Sequence, residues 1–137
     1  MNPKHYVSLE IAKQLKEAGY PQEGEFWWTS YYEDSFGTFR LYEDEEFHLK
    51  FKPPIMYTEE SKFKSYVAPL ATEILEELPR QVILNGWNCV LEIRPYGTQE
   101  FEVVYYHPHH FKNEEAYTLP NALAKMWLYL KKEGIEK

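Results

Sequence analysis

The feature that most constrains the fold is the stretch from Trp87 to Tyr106, which has the pattern of a β-hairpin. Apolar residues alternate in each of its two halves, at Cys89, Leu91 and Ile93 and again at Phe101, Val103 and Tyr105. A side-chain period of two places each set on one face of a strand. Pro95 and Gly97 lie between the two runs and supply turn chemistry. The sequence therefore predicts an antiparallel hairpin that forms the rigid middle of a sheet.

The chain has 137 residues, which predicts one domain spanning residues 1–137. Its composition, 44% hydrophobic and 18% aromatic, argues against disorder and supplies a core. No apolar run approaches the ~20 residues that a membrane helix needs, and the first residues lack the apolar region of a signal peptide. The one cysteine, Cys89, cannot form an internal disulfide. We therefore expect a soluble cytoplasmic protein that contacts no membrane.

The formal net charge of −7 is concentrated in one segment, residues 23–46. This segment contains eight acidic residues and one basic residue, whereas the acids and bases of the remaining chain cancel. Such an acidic patch disfavours contact with phosphates and suits a basic partner. A solvated loop and strand face would carry the same charges, so the pattern alone leaves the role of the segment open.

Three segments are predicted to be helices. In the first, Ser8 is a candidate N-cap and Gly19 a candidate stop. The second has Pro69 in its first turn and ends at Pro79. The third begins after Thr118, with Pro120 in its first turn, and its apolar residues recur at the helical period. That stripe consists of Leu119, Ala122, Leu123, Met126, Trp127 and Leu130.

The other predicted strands come mainly from the first half of the chain. Residues 25–32, 37–42 and 47–52 read as three strands of a meander. Residues 53–66 read either as a long loop or as a short helix around residues 59–63. Val82 to Leu84 precede an Asn-Gly turn signal and can pair with Trp87 onward. The sequence predicts an α+β fold, with a single antiparallel sheet (meander plus hairpin) and about three helices packed on one face.

Three stretches together resemble a family of small uncharacterised proteins that bacteriophages and bacterial prophages encode. The first, residues 6–22, contains the succession leucine, lysine, glycine, tyrosine, proline and glutamine, and the second, residues 68–79, begins Ala-Pro. The third, residues 119–130, is an alanine-containing helix with Trp127. Leu70 stands where that family typically has threonine. The resemblance implies a phage or prophage origin, a bacterial cytoplasm and this architecture, and it brings no catalytic residue.

The one metal-like cluster is His107-Pro108-His109-His110, followed by Glu114 and Glu115. Imidazole and carboxylate groups can bind Zn²⁺ or a similar ion. Adjacent histidines such as His109 and His110 rarely converge on one ion, however, and no helical His-x-x-x-His spacing occurs. The sequence therefore favours a polar loop that joins the hairpin to the last helix, with no metal and no cofactor, and metal binding stays an alternative.

Four aromatic residues close together form the candidate binding site: Trp27, Trp28, Tyr31 and Tyr32. Strand alternation places Trp28 and Tyr32 on one face and Trp27 and Tyr31 on the other, so only one pair is available for binding. Aromatic platforms of this kind stack single-stranded bases. The acidic segment around them would repel phosphates, so we expect nucleic-acid binding only as an alternative.

Enzymatic activity finds little support in the sequence. There is no Ser-His-Asp signature, no phosphate-binding glycine loop and no nucleophile elbow, and no catalytic residue is assigned. A small acidic domain with surplus aromatic residues can instead bind another protein or a second copy of itself. The sequence thus predicts a non-enzymatic interaction or self-associating module whose partner is a host protein, a phage protein or itself as a homodimer.

Overall fold

The computed structural model describes residues 3–44, 46–51, 62–97 and 100–135. These residues contain the α-helices α1 (Leu9–Glu17), α2 (Ala71–Glu77) and α3 (Leu119–Lys132), and a short 3-10 helix (Pro3–His5). The strands are β1 (Phe26–Thr29), β2 (Tyr31–Glu33), β3 (Phe39–Leu41), β4 (His48–Phe51), β5 (Ser65–Val67), β6 (Gln81–Leu84), β7 (Trp87–Tyr96), β8 (Glu100–His107) and β9 (His110–Ala116). Helices combined with antiparallel strands confirm the α+β class.

The described strands form three sheets, so the prediction of a single sheet was wrong. One sheet has the order β4-β1-β5, a second consists of β2 and β3, and a third has the order β6-β7-β8-β9. The predicted meander fails because β4 pairs with β1 and not with β3.

The chain divides into two compact units, which are described separately here. The inserted unit comprises Ser8–Pro69, and the host unit comprises Met1–Val7 together with Leu70–Lys137. In the host unit, Tyr6 and Leu70 form an antiparallel bridge, so its two chain segments lie side by side. The single domain over residues 1–137 stays a prediction.

In the inserted unit, α1 begins and ends where the sequence predicts. The Ser8 hydroxyl accepts a hydrogen bond from the backbone N–H of Ile11 at 3.4 Å, which caps the first turn. After the last turn, Gly19 adopts a left-handed φ of 91°, and the N–H of Tyr20 bonds back to the carbonyl of Leu15 at 2.8 Å. The buried face of the helix consists of Ile11, Ala12 and Leu15.

Ser30 interrupts the strand that the sequence predicts over residues 25–32. Its N–H donates to the carbonyl of Lys64, and its carbonyl accepts from the N–H of Tyr42, at 3.0 and 3.2 Å. The backbone of Ser30 thus bonds to two separate segments, and β1 and β2 enter different sheets. Residues 52–61 lie outside the described residues, and with them most of the helix predicted around residues 59–63.

In the host unit, the predicted hairpin is confirmed as β7 and β8, paired from Val90 with Tyr106 to Tyr96 with Glu100. The Asn-Gly turn is confirmed as well, because it joins β6 to β7. Asn85 and Gly86 have φ angles of 52° and 84°, the left-handed pair that a two-residue hairpin needs. The strand order of this sheet therefore follows the order of the chain.

A strand, β9, occupies residues that the sequence assigns to a loop. It pairs with β8 from Phe101 with Ala116 to His107 with His110. The prediction of a loop between the hairpin and the last helix was wrong because residues 112–115 are Lys-Asn-Glu-Glu and lack apolar alternation. Backbone hydrogen bonds to β8 define this edge strand instead.

Helix α3 contacts both β8 and β9, and it also contacts α2 and the 3-10 helix. Four residues of the predicted stripe are buried, namely Ala122, Leu123, Met126 and Leu130, and Trp127 is half-buried. Pro120 lies in the first turn as predicted, whereas Thr118 is the N-cap without a side-chain capping bond. In α2, the carboxylate of Glu73 accepts from the N–H of Leu70 at 2.9 Å. None of the described helices is long and apolar enough to cross a membrane.

Candidate interaction surface

The two faces of the four-stranded sheet differ in what covers them. Cys89, Val103 and Tyr105 lie on one face and are fully buried. On the same face, Lys112 pairs in register with Tyr105, and its Nζ lies 4.5 Å from the ring centroid of Tyr129 in α3. The centre of this face therefore packs against α3, whereas Trp87, Ile93 and Phe101 of the same face are 40%, 41% and 38% exposed.

The opposite face carries apolar side chains that solvent reaches. Val90, Tyr106 and Phe111 pair in register across β7, β8 and β9, so they form one row across three adjacent strands. Their exposed fractions are 44%, 37% and 60%. Ile83 of β6, 65% exposed, has its side chain on the same face. We call this set of four residues, Ile83, Val90, Tyr106 and Phe111, the open face.

Arg94 links the open face to a charged area further along the strands. Its guanidinium carbon lies 5.0 Å from the ring centroid of Tyr106, within the range of a cation–π contact. The guanidinium also donates to the carboxylate of Glu92, through Nε at 2.9 Å and through Nη2. This hydrogen bond is the main cause that raises the pKa of Arg94 above its ordinary value. Arg94 therefore stays charged, and it holds the Tyr106 ring beside it.

The charged area consists of Glu92, Arg94, Glu102, Asn113 and Glu115, and hydrogen bonds and ion pairs join these side chains. The side-chain amide of Asn113 donates to Glu102 and to Glu115, each at 3.0 Å. Glu102 also lies 3.9 Å from Arg94. Val104 has Glu92 and Asn113 as its register partners and is 1% exposed, although it points to the same side as the open face. The polar network thus shields the apolar centre of this face, and among the described residues of the face the exposed large apolar side chains are those of the row and Ile83.

The four aromatic residues that the sequence proposes lie in the inserted unit and do not form one patch. Trp27 and Tyr31 are buried, at 4% and 1% exposure, whereas Trp28 and Tyr32 are half-buried. Trp27 donates its indole N–H to the carbonyl of Gly24 at 2.9 Å. Trp28 belongs to β1 and Tyr32 to β2, in different sheets.

The structure gives Trp28 and Tyr32 separate surroundings. Trp28 is the register partner of Leu49 on β4 and of Tyr66 on β5. Beside Tyr66, Lys16 places its Nζ 5.2 Å from the ring centroid. The ring of Tyr32 instead lies 5.1 Å from that of Tyr42. Base stacking by these residues stays a prediction.

Acidic residues of segment 23–46 take part in local hydrogen bonds. Asp34 accepts from the N–H groups of Phe36 and Thr38, each at 2.9 Å, and from Nε of Arg40 at 2.7 Å. The hydrogen bond from Arg40 is the largest of the causes that lower the pKa of Asp34 below its ordinary value. This carboxylate organises the turn between β2 and β3, which is a structural role.

The predicted histidine cluster lies at the tight turn between β8 and β9. His107 stacks on Trp87 with ring centroids 4.5 Å apart, and His109 lies 5.0 Å from the same indole. The Nδ1 of His107 accepts from the backbone N–H of His109 at 3.0 Å. Among the described residues there is no group of three or more His, Cys, Asp or Glu side chains that could hold a metal ion. The contacts of these imidazoles are thus with an aromatic ring and the turn backbone.

No protein-family model, curated protein or solved structure matches this chain. The resemblance to small phage and prophage proteins consequently stays a prediction from the three sequence stretches. The geometry of the open face and of its surroundings is the basis on which a function can be argued.

Proposed function

We propose that this protein is a non-enzymatic interaction module that forms a homodimer through the open face of its four-stranded sheet. The observation that carries the proposal is the row of Val90, Tyr106 and Phe111, which stays exposed although it crosses three strands. Contiguous apolar patches on a protein surface commonly mark a contact with another protein. A second copy of the chain is the occupant that we infer.

The shape of a sheet face supports this occupant. Two sheets pack face to face at about 10 Å with interdigitated side chains, as in β-sandwiches. In a two-fold dimer, the same patch lies on both sides of the contact, so a patch must be complementary to itself. A flat apolar row meets that condition, since each of its residues, such as Phe111, can lie against the same residue of the other copy.

The charged area favours one of the two possible orientations of the second copy. It lies to one side of the row and includes Glu92, Glu102 and Glu115 with the single cation Arg94. A two-fold axis along the row reverses the strands of the second copy, so the two acidic areas lie on opposite sides of the contact. An axis along the strands would bring them together at a Coulomb cost. We therefore propose the first arrangement.

Sedimentation analysis of the full chain between about 10 µM and 1 mM tests the proposal, since a modest apolar contact gives a dissociation constant roughly in the micromolar range. We expect a reversible dimer whose population falls in the Phe111→Lys variant and in the Ile83→Lys variant. Both side chains are largely exposed, so both variants should fold.

Phe36→Lys is the matched control, because Phe36 is 91% exposed and lies in the other unit. It removes an equally large apolar side chain and adds the same charge, and its dimer should be unchanged. A monomer at every concentration would contradict the proposal, as would equal dissociation by Phe36→Lys.

We include a phage or prophage origin in the proposal because the three stretches of resemblance support it. The genes beside the coding sequence are the test. Replication, lysis, packaging or anti-defence genes would agree with this origin, and an unrelated metabolic operon would not.

A further inference from the structure

A second feature of the host unit is a cavity of about 410 Å³ beside the first turn of α3. Its walls are largely apolar and include Leu70, Phe101, Tyr117 and Pro120. Small-molecule sites in proteins are typically concave, mainly apolar and roughly 300 to 1,000 Å³ in volume. Tyr117 is 73% exposed and Phe101 is 38% exposed, so two aromatic rings remain accessible at a site that can hold a small ligand.

The charges at this cavity are the reverse of those of the chain. Lys4 and His5 line it and are exposed, whereas none of the described lining residues is acidic. The chain as a whole has a net charge of −7. A cationic edge beside apolar walls is complementary to a ligand that has an anionic head and an apolar body.

The start of α3 adds a further feature that favours an anion. The N-terminus of this 14-residue helix carries a partial positive charge. Thr118, its N-cap, lines the cavity, so this end of the helix lies at the site.

We propose that this cavity binds a small amphipathic carboxylate, whose apolar body lies between Leu70, Phe101 and Pro120 and whose carboxylate lies by Lys4, His5 and the N-terminus of α3. The site is independent of the open face, because it shares no residue with it. A neutral ligand of the same length would lose the attraction to Lys4 and would bind less tightly.

Octanoate is a suitable probe, with octan-1-ol as its neutral counterpart. Titration of the full chain is followed by NMR of the backbone amides. Octanoate should bind saturably and shift the amides of residues 4–5, 70–72 and 117–119, and octan-1-ol should bind about tenfold less tightly at the same place. Equal affinity for the two probes, no saturation of octanoate by roughly 10 mM, or shifts confined to other residues would overturn the proposal.

Variants separate the two parts of the site. Substitution of both polar residues at this edge, Lys4→Gln with His5→Gln, should bring the affinity for octanoate close to that for octan-1-ol and leave the latter unchanged. Thr72→Trp places a bulky ring at a residue that lines the cavity and should weaken both probes. Leu75→Trp, on the same helix but not part of this cavity, is the control that keeps both affinities.

If the double variant lost affinity for octan-1-ol as strongly as for octanoate, Lys4 and His5 would not be the contacts of the carboxylate, and their assignment would be overturned. Undiminished binding of both probes by a folded Thr72→Trp variant would place the ligand elsewhere and overturn the site.

Discussion

Among single residues, Tyr105 makes a contact whose loss should be measurable in stability. Its ring is fully buried, and its hydroxyl donates to the carbonyl of Pro79 at 2.7 Å. Tyr105→Phe removes the donor and leaves that carbonyl without this partner, so the free energy of unfolding should fall by about 1 to 2 kcal/mol in urea titrations. Tyr106→Phe is the control, since Tyr106 is 37% exposed and should change little.

The same residue gives stability a dependence on alkaline pH. Burial raises the pKa of Tyr105 well above its ordinary value of 10.0. The neutral phenol is therefore favoured in the folded state, and its contribution is fully present below about pH 10 and is lost as the pH rises further. Urea titrations at pH 8 and at about pH 11 should show a smaller loss in Tyr105→Phe than in the parent chain. Equal losses would contradict this assignment.

The open face was only partly predictable from its residues. Strand alternation places Val90 and Tyr106 opposite the inward set of the hairpin, so two outward apolar residues were visible in the sequence. Phe111 was not, because its strand lacks an apolar pattern and read as a loop. The sequence points instead to Trp27 and its aromatic neighbours, but the number of aromatic residues does not determine how much of each ring the fold leaves exposed.

At the scale of elements, local signals predicted those parts of the fold that local physics determines. The caps of α1, the stripe of α3 and the Asn-Gly turn between β6 and β7 depend on residues a few positions apart. Strand pairing depends on distant segments, and β5 and β9 carry little local pattern. The partner of β4 consequently could not be read from its alternation, and the predicted meander became two separate sheets.

The turn between β6 and β7 allows a direct test of one local signal. Gly86 has a φ of 84°, and a Cβ added there would meet nothing within 4 Å. Gly86→Ala therefore introduces backbone strain without a clash, and it should cost roughly 1 to 2 kcal/mol in urea titrations. Asn85→Gly introduces another residue that tolerates the left-handed region, so it should change the free energy of unfolding little. Equal effects of the two substitutions would show that the turn does not depend on backbone conformation.

At the scale of the whole molecule, the inserted unit enters and leaves the host unit at one place. Tyr6 and Leu70 are bridged, so a short linker can join Val7 directly to Leu70. Replacement of residues 8–69 by about four Gly and Ser residues should leave a chain that folds with the α3 helix and the four-stranded sheet. Dispersed amide NMR spectra would verify this, whereas a collapsed spectrum would contradict it.

Removal of residues 1–7 should be more harmful, because Tyr6 and Val7 are buried at 7% and 0% exposure.

The bridge between Tyr6 and Leu70 also has a consequence for synthesis on the ribosome. The first residues of the host unit are made at the start of translation, but Leu70 follows only after the 62 residues of the inserted unit. At about 5 to 20 residues per second, that interval lasts roughly 3 to 12 s. During this time the nascent chain carries Tyr6 and Val7 without Leu70 and the rest of the host unit. Nascent chains halted before residue 70 should therefore have an apolar N-terminal segment that the host unit does not yet bury.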